Sequence, residues 1–171
     1  MTRKQLVTRT ENAKMAGQNK RHFLNRDARH LQKPLGDIAG LTKLGFHLIE
    51  VPIGSALCAF HRHICEEECI YILEGTGTAR IVDTVLQVES GDFIAYPAGG
   101  EAHDLRNTGS SILKCIIVGQ RLDFGIVDYP EQARRLCRAN GKKGDLVDMA
   151  MIVPRQYSLA NKPQPVTGCK S

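Results

Sequence analysis

Two histidines, His61 and His63, stand two apart in a stretch that otherwise reads as β-strand. Side chains alternate along a strand, so residues i and i+2 share a face, about 7 Å apart along the chain. Two such imidazoles can hold one metal ion. A run of three carboxylates, Glu66, Glu67 and Glu68, follows at once, and His103 lies just past the turn Pro97-Ala98-Gly99-Gly100. Three imidazoles and one carboxylate suit zinc, iron, nickel, copper or manganese, and residue type alone does not choose among them. Four ligands do not fill an octahedron, and an open position distinguishes a catalytic from a structural ion. A lone strand histidine is ordinarily a hydrogen-bonded core residue. His47, His22 and His30 are read that way, for want of any partner spacing.

The elements that must position these residues are short and numerous. Leu44–Val51 alternates and is closed by Pro52 and Gly54. Leu57–His63 carries the histidine pair at its end, and Cys69–Leu73 returns beside it. Ala79–Asp83, Val85–Val88, Phe93–Tyr96 and Ala102–Leu105 follow, separated by Gly- and Asp-containing turns. Residues 112–118 form the most apolar run, that of a buried strand. No helical pattern of ten to fifteen residues lies between these segments, which argues an all-β sandwich or barrel. Residues 1–20 are polar and predict a mobile leader; residues 31–41, with Pro34, Gly36 and Gly40, predict a loop. Glu131–Arg138 predicts a short helix ending near Asn140-Gly141, followed by a tail to residue 171.

The order and spacing of these motifs resemble those of the cupins. Gly54, six residues, His61-x-His63, Glu68, six residues and Gly75 match the first cupin motif. Only Glu68 has the right distance to Gly75, so the resemblance makes it, rather than Glu66 or Glu67, the carboxylate ligand. Gly91, five residues, Pro97-x-Gly99, His103, three residues and Asn107 match the second. Three residues separate Gly99 from His103 where the usual pattern has two. The 15 residues between the motifs are as few as in compact bacterial cupins. The run Val118-Gly119-Gln120-Arg121 through Tyr129-Pro130 is similar to a group of small one-barrel cupins, mostly without an assigned reaction. The resemblance implies a double-stranded β-helix (jelly-roll) barrel over residues 44–130. A basic N-terminal arm and loop (1–43) would precede it, and a C-terminal helix and tail (131–171) would follow. It implies His61, His63, Glu68 and His103 as ligands of a divalent transition metal (zinc, iron, nickel or manganese), and a homodimer. Tyr71, Tyr96 and Arg106 are expected at the pocket mouth, where Arg106 would suit an anion.

Composition bounds the rest. The 171 residues suffice for one domain with a real core. No 18-residue apolar run exists, so no membrane span is expected, and no apolar segment follows the basic N-terminus as in a secretory signal. The expected location is the cytoplasm, with the six cysteines reduced. Cys65-x3-Cys69 has no second pair to complete a thiolate zinc site. Charge is uneven. Residues 1–33 hold nine Lys or Arg and two acids, +7; the remainder holds fourteen and sixteen, −2. The arm shows no nucleic-acid motif, so a solvated leader is expected rather than a nucleic-acid partner.

Two functions remain. One is a metal-dependent enzyme on a small polar molecule, of sugar or sugar-phosphate isomerase type or of dioxygenase type. The other is a non-catalytic module that binds or senses a small molecule, since one barrel serves both.

Overall fold

The computed structural model describes residues 5–140 and 144–153. Thirteen strands follow in chain order: β1 (Gln18–Arg21), β2 (Arg29–Lys33), β3 (Leu44–Val51), β4 (Arg62–His63), β5 (Glu68–Glu74), β6 (Thr76–Ile81), β7 (Thr84–Glu89), β8 (Phe93–Tyr96), β9 (His103–Arg106), β10 (Leu113–Gln120), β11 (Phe124–Tyr129), β12 (Arg134–Ala139) and β13 (Asp145–Asp148). Two short helices, α1 (Arg9–Lys14) and α2 (Leu35–Ile38), complete the regular structure together with two 3-10 turns. The all-β expectation holds.

The strands make a six-stranded sheet in the order β1-β2-β3-β10-β5-β8, a four-stranded sheet β13-β12-β11-β4 and a three-stranded sheet β7-β6-β9. Alternation decides which side chains go inside. On β5, Ile70 and Ile72 are buried while Tyr71 points out; on β10, Leu113 and Cys115 are buried. They meet Leu57, Ala79, Val88 and Leu105 in one core, so the six-stranded sheet packs face to face on the three-stranded one. A second, smaller cluster of Ala59, Val127 and Tyr129, with Leu24 and Leu136, lies under the four-stranded sheet.

Two motif residues act on the backbone. Gly75 has φ +85°, and a Cβ there would stand 2.6 Å from the Ile112 carbonyl oxygen, so only glycine fits the β5–β6 turn. Asn107 is fully buried. Its amide donates to the carbonyls of Val51 and Ser111, both at 2.8 Å, and its oxygen accepts from Gly109 N–H.

Pairing extends beyond residues 44–130 at both ends. β1 and β2 form an antiparallel ribbon that joins the sheet through β3, so much of the basic arm is strand rather than leader. Within the leader, α1 carries a capping box between Thr8 and Glu11. α2 lies inside the predicted loop.

The helix expected over Glu131–Arg138 does not form. Pro130–Gln132 makes one 3-10 turn, Ala133 turns left-handed at φ 50°, and the chain continues as β12. The buried carboxylate of Asp128 accounts for this. As a strand, β12 sets Arg135 opposite Asp128, and its guanidinium donates to both oxygens at 2.6 and 2.9 Å. Arg62 donates to the same carboxylate. A buried charge that needs its partner outweighs local helix propensity. The segment read as tail contributes β13, and residues 154–171 lie outside the described residues. Among the described residues, no helix is long and apolar enough to cross a membrane.

Candidate functional site

The ladder brings the histidines together. His61 and His103 exchange backbone hydrogen bonds, N–H to O, at 3.0 and 2.8 Å. β4 starts one residue later, so His63 follows on the same face. Glu68 opens β5, the strand after the acidic turn. Ligand atoms of His61, His63 and Glu68 all lie within 4.8 Å of one another. His103 Nε2 is 3.9 Å from Glu68 Oε1, and the His103 ring centroid is 4.7 Å from that of His61.

The acceptors around the rings fix the tautomers. His61 Nδ1 donates to the Ala59 carbonyl at 2.9 Å, His103 Nδ1 to the Glu101 carbonyl at 3.1 Å, and His63 Nδ1 to the Glu66 carboxylate at 3.3 Å. Each Nε2 is thereby left as a lone pair. Yet His61 Nε2 and His63 Nε2 stand 3.1 Å apart, and His103 Nε2 is buried with no hydrogen-bond partner. Lone pairs converging in this way repel unless a cation lies between them. Neighbouring nitrogens on one ion at a metal–nitrogen distance near 2.1 Å are about 3 Å apart. The donor set therefore fits a divalent transition metal.

Burial prepares the same chemistry. It lowers the pKa of all three imidazoles, His61 well below the ordinary value and His103 to about 4, so they are neutral ligands at physiological pH. Burial, then the charge of Glu66, raises Glu68 to about 7. Glu66 is itself buried, and Glu67 is exposed. The Glu66 carboxylate also accepts from Arg138 Nη2 at 2.5 and 2.7 Å, so it joins β12 to a ligand imidazole.

The pocket residues expected from sequence fall in three places. Tyr96 is buried, its ring stacked on His103 at 3.5 Å between centroids and 4° between planes. It fixes the His103 ring, and its hydroxyl has no hydrogen-bond partner. Tyr71 points away from the core, 44% exposed, because its neighbours Ile70 and Ile72 take the inward face. Arg106 also points out: on β9, His103 and Leu105 are the buried positions, and Arg106 donates to the Gly54 carbonyl at 2.7 Å. None of Tyr71, Tyr96 and Arg106 lines the cavity of the histidine cluster.

That cavity, about 380 Å³, has His61, His63 and Glu68 on one side and Tyr129, Val127 and Leu136 nearby. Its size is that of a small-molecule site. Another part of its wall comes from the N-terminal ribbon and β3, with Lys20, Arg21, His22, His30, Gln32 and His47. The sequence reading left these histidines as structural. The signal was there as Lys20-x-His22 and His30-x-Gln32, which alternation places on one face each. Cys65 and Cys69 take no part in the metal cluster.

The model of the cupin domain matches residues 47–119. The crystal structure of a putative sugar phosphate isomerase from Acidithiobacillus ferrooxidans superposes with a TM-score of 0.88 at 42% identity, covering 92% of this chain and 100% of that one. A sugar phosphate isomerase from a cupin superfamily, from Silicibacter pomeroyi, has the same fold at 19% identity, with a TM-score of 0.71 and coverage of 80% and 90%. An oxalate-binding protein of Thermotoga maritima is 29% identical over 97 residues, 57% of this chain and 70% of that protein. With the motif glycines, the ligand tautomers and these likenesses in agreement, the chain belongs to the cupin superfamily.

Proposed function

We propose that this protein is a metal-dependent enzyme of sugar-phosphate isomerase type. The observation that carries the reading is the cluster of unprotonated His61 and His63 Nε2 atoms and the Glu68 carboxylate on a 380 Å³ cavity, with His103 Nε2 behind it at 3.9 Å from Glu68. The 42% identical relative described as a putative sugar phosphate isomerase supports this reaction class. When bound, a divalent metal there supplies Lewis-acid polarisation of a substrate carbonyl or hydroxyl. The chain's own residues do the rest. Ala59, Glu101 and Glu66 hold the imidazoles in the ligating tautomer. Tyr96 stacks on His103 and fixes its plane. Tyr129, its ring 6.1 Å from that of His61, keeps its proton because burial raises its pKa to about 12, and it can donate to a substrate oxygen. Val127, Leu136, Leu57 and Ile117 exclude water from the same cavity.

The test is metal content and turnover measured together. Wild-type protein and a His61→Ala, His103→Ala double variant are assayed for bound metal, then against a panel of phosphorylated aldoses and ketoses. Near-stoichiometric metal and interconversion in the wild type, both lost in the variant, are expected. Metal-loaded protein that converts none of the panel would refute the isomerase reading. The relative named as oxalate-binding favours a second reading, a module that binds a small dianion without turnover. Stoichiometric oxalate binding by the metal-loaded chain, with no product formed, is the result that would put it first.

A further inference from the structure

An antiparallel sheet with one face on the core and the other in water alternates apolar and polar residues. The three-stranded sheet does so. Between the inward Ala79 and Leu105, Thr78 stands opposite Arg106 and Arg80 opposite Asp104, and Arg80 donates to the Asp104 carboxylate at 2.9 Å. The six-stranded sheet does not. On β10 the inward side takes Leu113, Cys115 and Ile117, yet the outward side takes Ile116 and Val118. Residues 115–118 are therefore apolar on both faces, the pattern of a strand covered on both sides. A single chain covers one side well: Cys115 is fully buried, while Ile116 and Val118 are only half-buried.

The register shows how far this outer face extends. Directly paired residues on neighbouring strands share a side. Leu48 on β3 pairs with Ile116, Ile116 with Tyr71 on β5, and Tyr71 with Phe93 on β8. Two residues along, Phe46 pairs with Val118, Val118 with Cys69, and Cys69 with Ala95. These two rows cross four strands without a charged side chain. Tyr71 is 44% exposed and Phe93 63%. α2 lies against one corner, where a Cβ on Gly36 would meet that of Phe46 at 3.2 Å. The flanking row of Glu50, Lys114 and Glu74 carries both signs, and Lys114 donates to Glu74 at 2.9 Å.

We propose that this outer face of β3, β10, β5 and β8 is the interface of a homodimer, in which a second copy of the chain lays the same two rows on it about a two-fold axis. The resemblance implied a homodimer without a surface, and the register supplies one. A two-fold interface must be complementary to itself. An uncharged face meets that condition with its own copy, whereas a charged partner would find no counter-charge on it, the one lysine of the flanking row being paired already. Size agrees. Four strands about 4.8 Å apart and four side-chain rows long span about 500 Å² per copy, so two copies reach the roughly 1,000 Å² that a specific interface needs. Tyr71 and Phe93 supply the aromatic anchors that dominate the energy of such contacts. Glu68 points to the opposite side of β5 from Cys69, so the face and the metal-ligand cluster lie on different sides of one sheet.

Sedimentation velocity of the full chain over a wide concentration range tests this, together with hydroxyl-radical footprinting of Tyr71 and Phe93 in the wild type. A Tyr71→Glu, Phe93→Glu double variant is compared with Phe124→Glu, which alters a ring 65% exposed on β11 of another sheet. The wild type should be a dimer with both rings protected, and protection should fade on dilution. The double variant should be a folded monomer by circular dichroism, its dimer dissociation constant raised at least about 30-fold, and Phe124→Glu should remain a dimer. The footprint reads the same face without any substitution, so a double variant that failed to fold would leave the test intact. A monomeric wild type overturns the proposal: rings labelled freely would show an uncovered face, and rings protected at every concentration would show that a segment of the same chain covers it. A dimer that persists in the folded double variant would put the interface elsewhere and overturn the proposal equally. None of these outcomes depends on bound metal or turnover.

Discussion

Replacing Glu66 by Gln separates the support of the metal from the metal's own ligands. The Glu66 side chain is 4% exposed and bridges two partners, His63 Nδ1 and Arg138 Nη2. The amide would keep the volume and one carbonyl acceptor but lose the charge that makes the His63 imidazole a strong donor to a cation. Changes to a partner of this kind lower metal affinity by about 10- to 100-fold, or about 1.4–2.8 kcal/mol. Arg138→Met is the converse. It keeps the apolar stem and leaves the Glu66 carboxylate buried without its cation. Breaking a fully buried pair costs about 3–5 kcal/mol; Arg138 is 38% exposed, so about 2 kcal/mol is expected here. That loss falls on the metal-free fold, because the carboxylate that orients His63 is still in place. Competition titration with a chromophoric chelator reads metal affinity, and urea unfolding of metal-free protein reads stability. Glu66→Gln should lose metal affinity, while Arg138→Met should lose stability and keep its metal. A Glu66→Gln variant within threefold of wild-type affinity would refute the positioning role, as would an Arg138→Met variant that loses metal to the same degree.

Asp128→Asn should destabilise the fold by about 3 kcal/mol at neutral pH, because Arg62 and Arg135 lose their shared buried counter-charge. Those guanidinium groups, Arg135 first, hold the Asp128 pKa below the ordinary carboxylate value. Its stabilising effect is therefore complete above about pH 4. It is lost as pH falls through the folded pKa, so urea midpoints of wild type and variant should converge in acid; a gap that persists undiminished at low pH would contradict the pairing. Gly75→Ala, with its left-handed φ and a carbonyl oxygen 2.6 Å from the new Cβ, should cost about 2 kcal/mol or more in thermal unfolding. Tyr71→Ala and Arg106→Ala should leave metal content and substrate KM unchanged, since both side chains point away from the cavity; a KM rise in Arg106→Ala would show that this side chain reaches the substrate and refute that placement.

The candidate metal cluster was legible because its geometry is local. His61 and His63 share a face by strand alternation alone, and the distance from Glu68 to Gly75 is a feature of one hairpin. The wall opposite was not, because it depends on pairings that the sequence does not announce. β1 is exposed along its whole length, so no apolar alternation marks it; ladder bonds to β2, and through β2 to β3, hold it in place. His22, just after it, and His30 on β2 therefore look solitary until Lys20 is set opposite His30 and Gln32 opposite Ile49. The misread segment after Pro130 has the same origin. Its local composition favours a helix, and the override comes from Asp128, a carboxylate whose burial is visible only once β11 and β4 are paired. The residues of the candidate metal cluster were thus brought to notice by spacing. Those that shape the chamber around it were fixed by long-range register, and in this chain that register makes the difference between a barrel with a metal-ligand cluster and a positively lined cavity built around one.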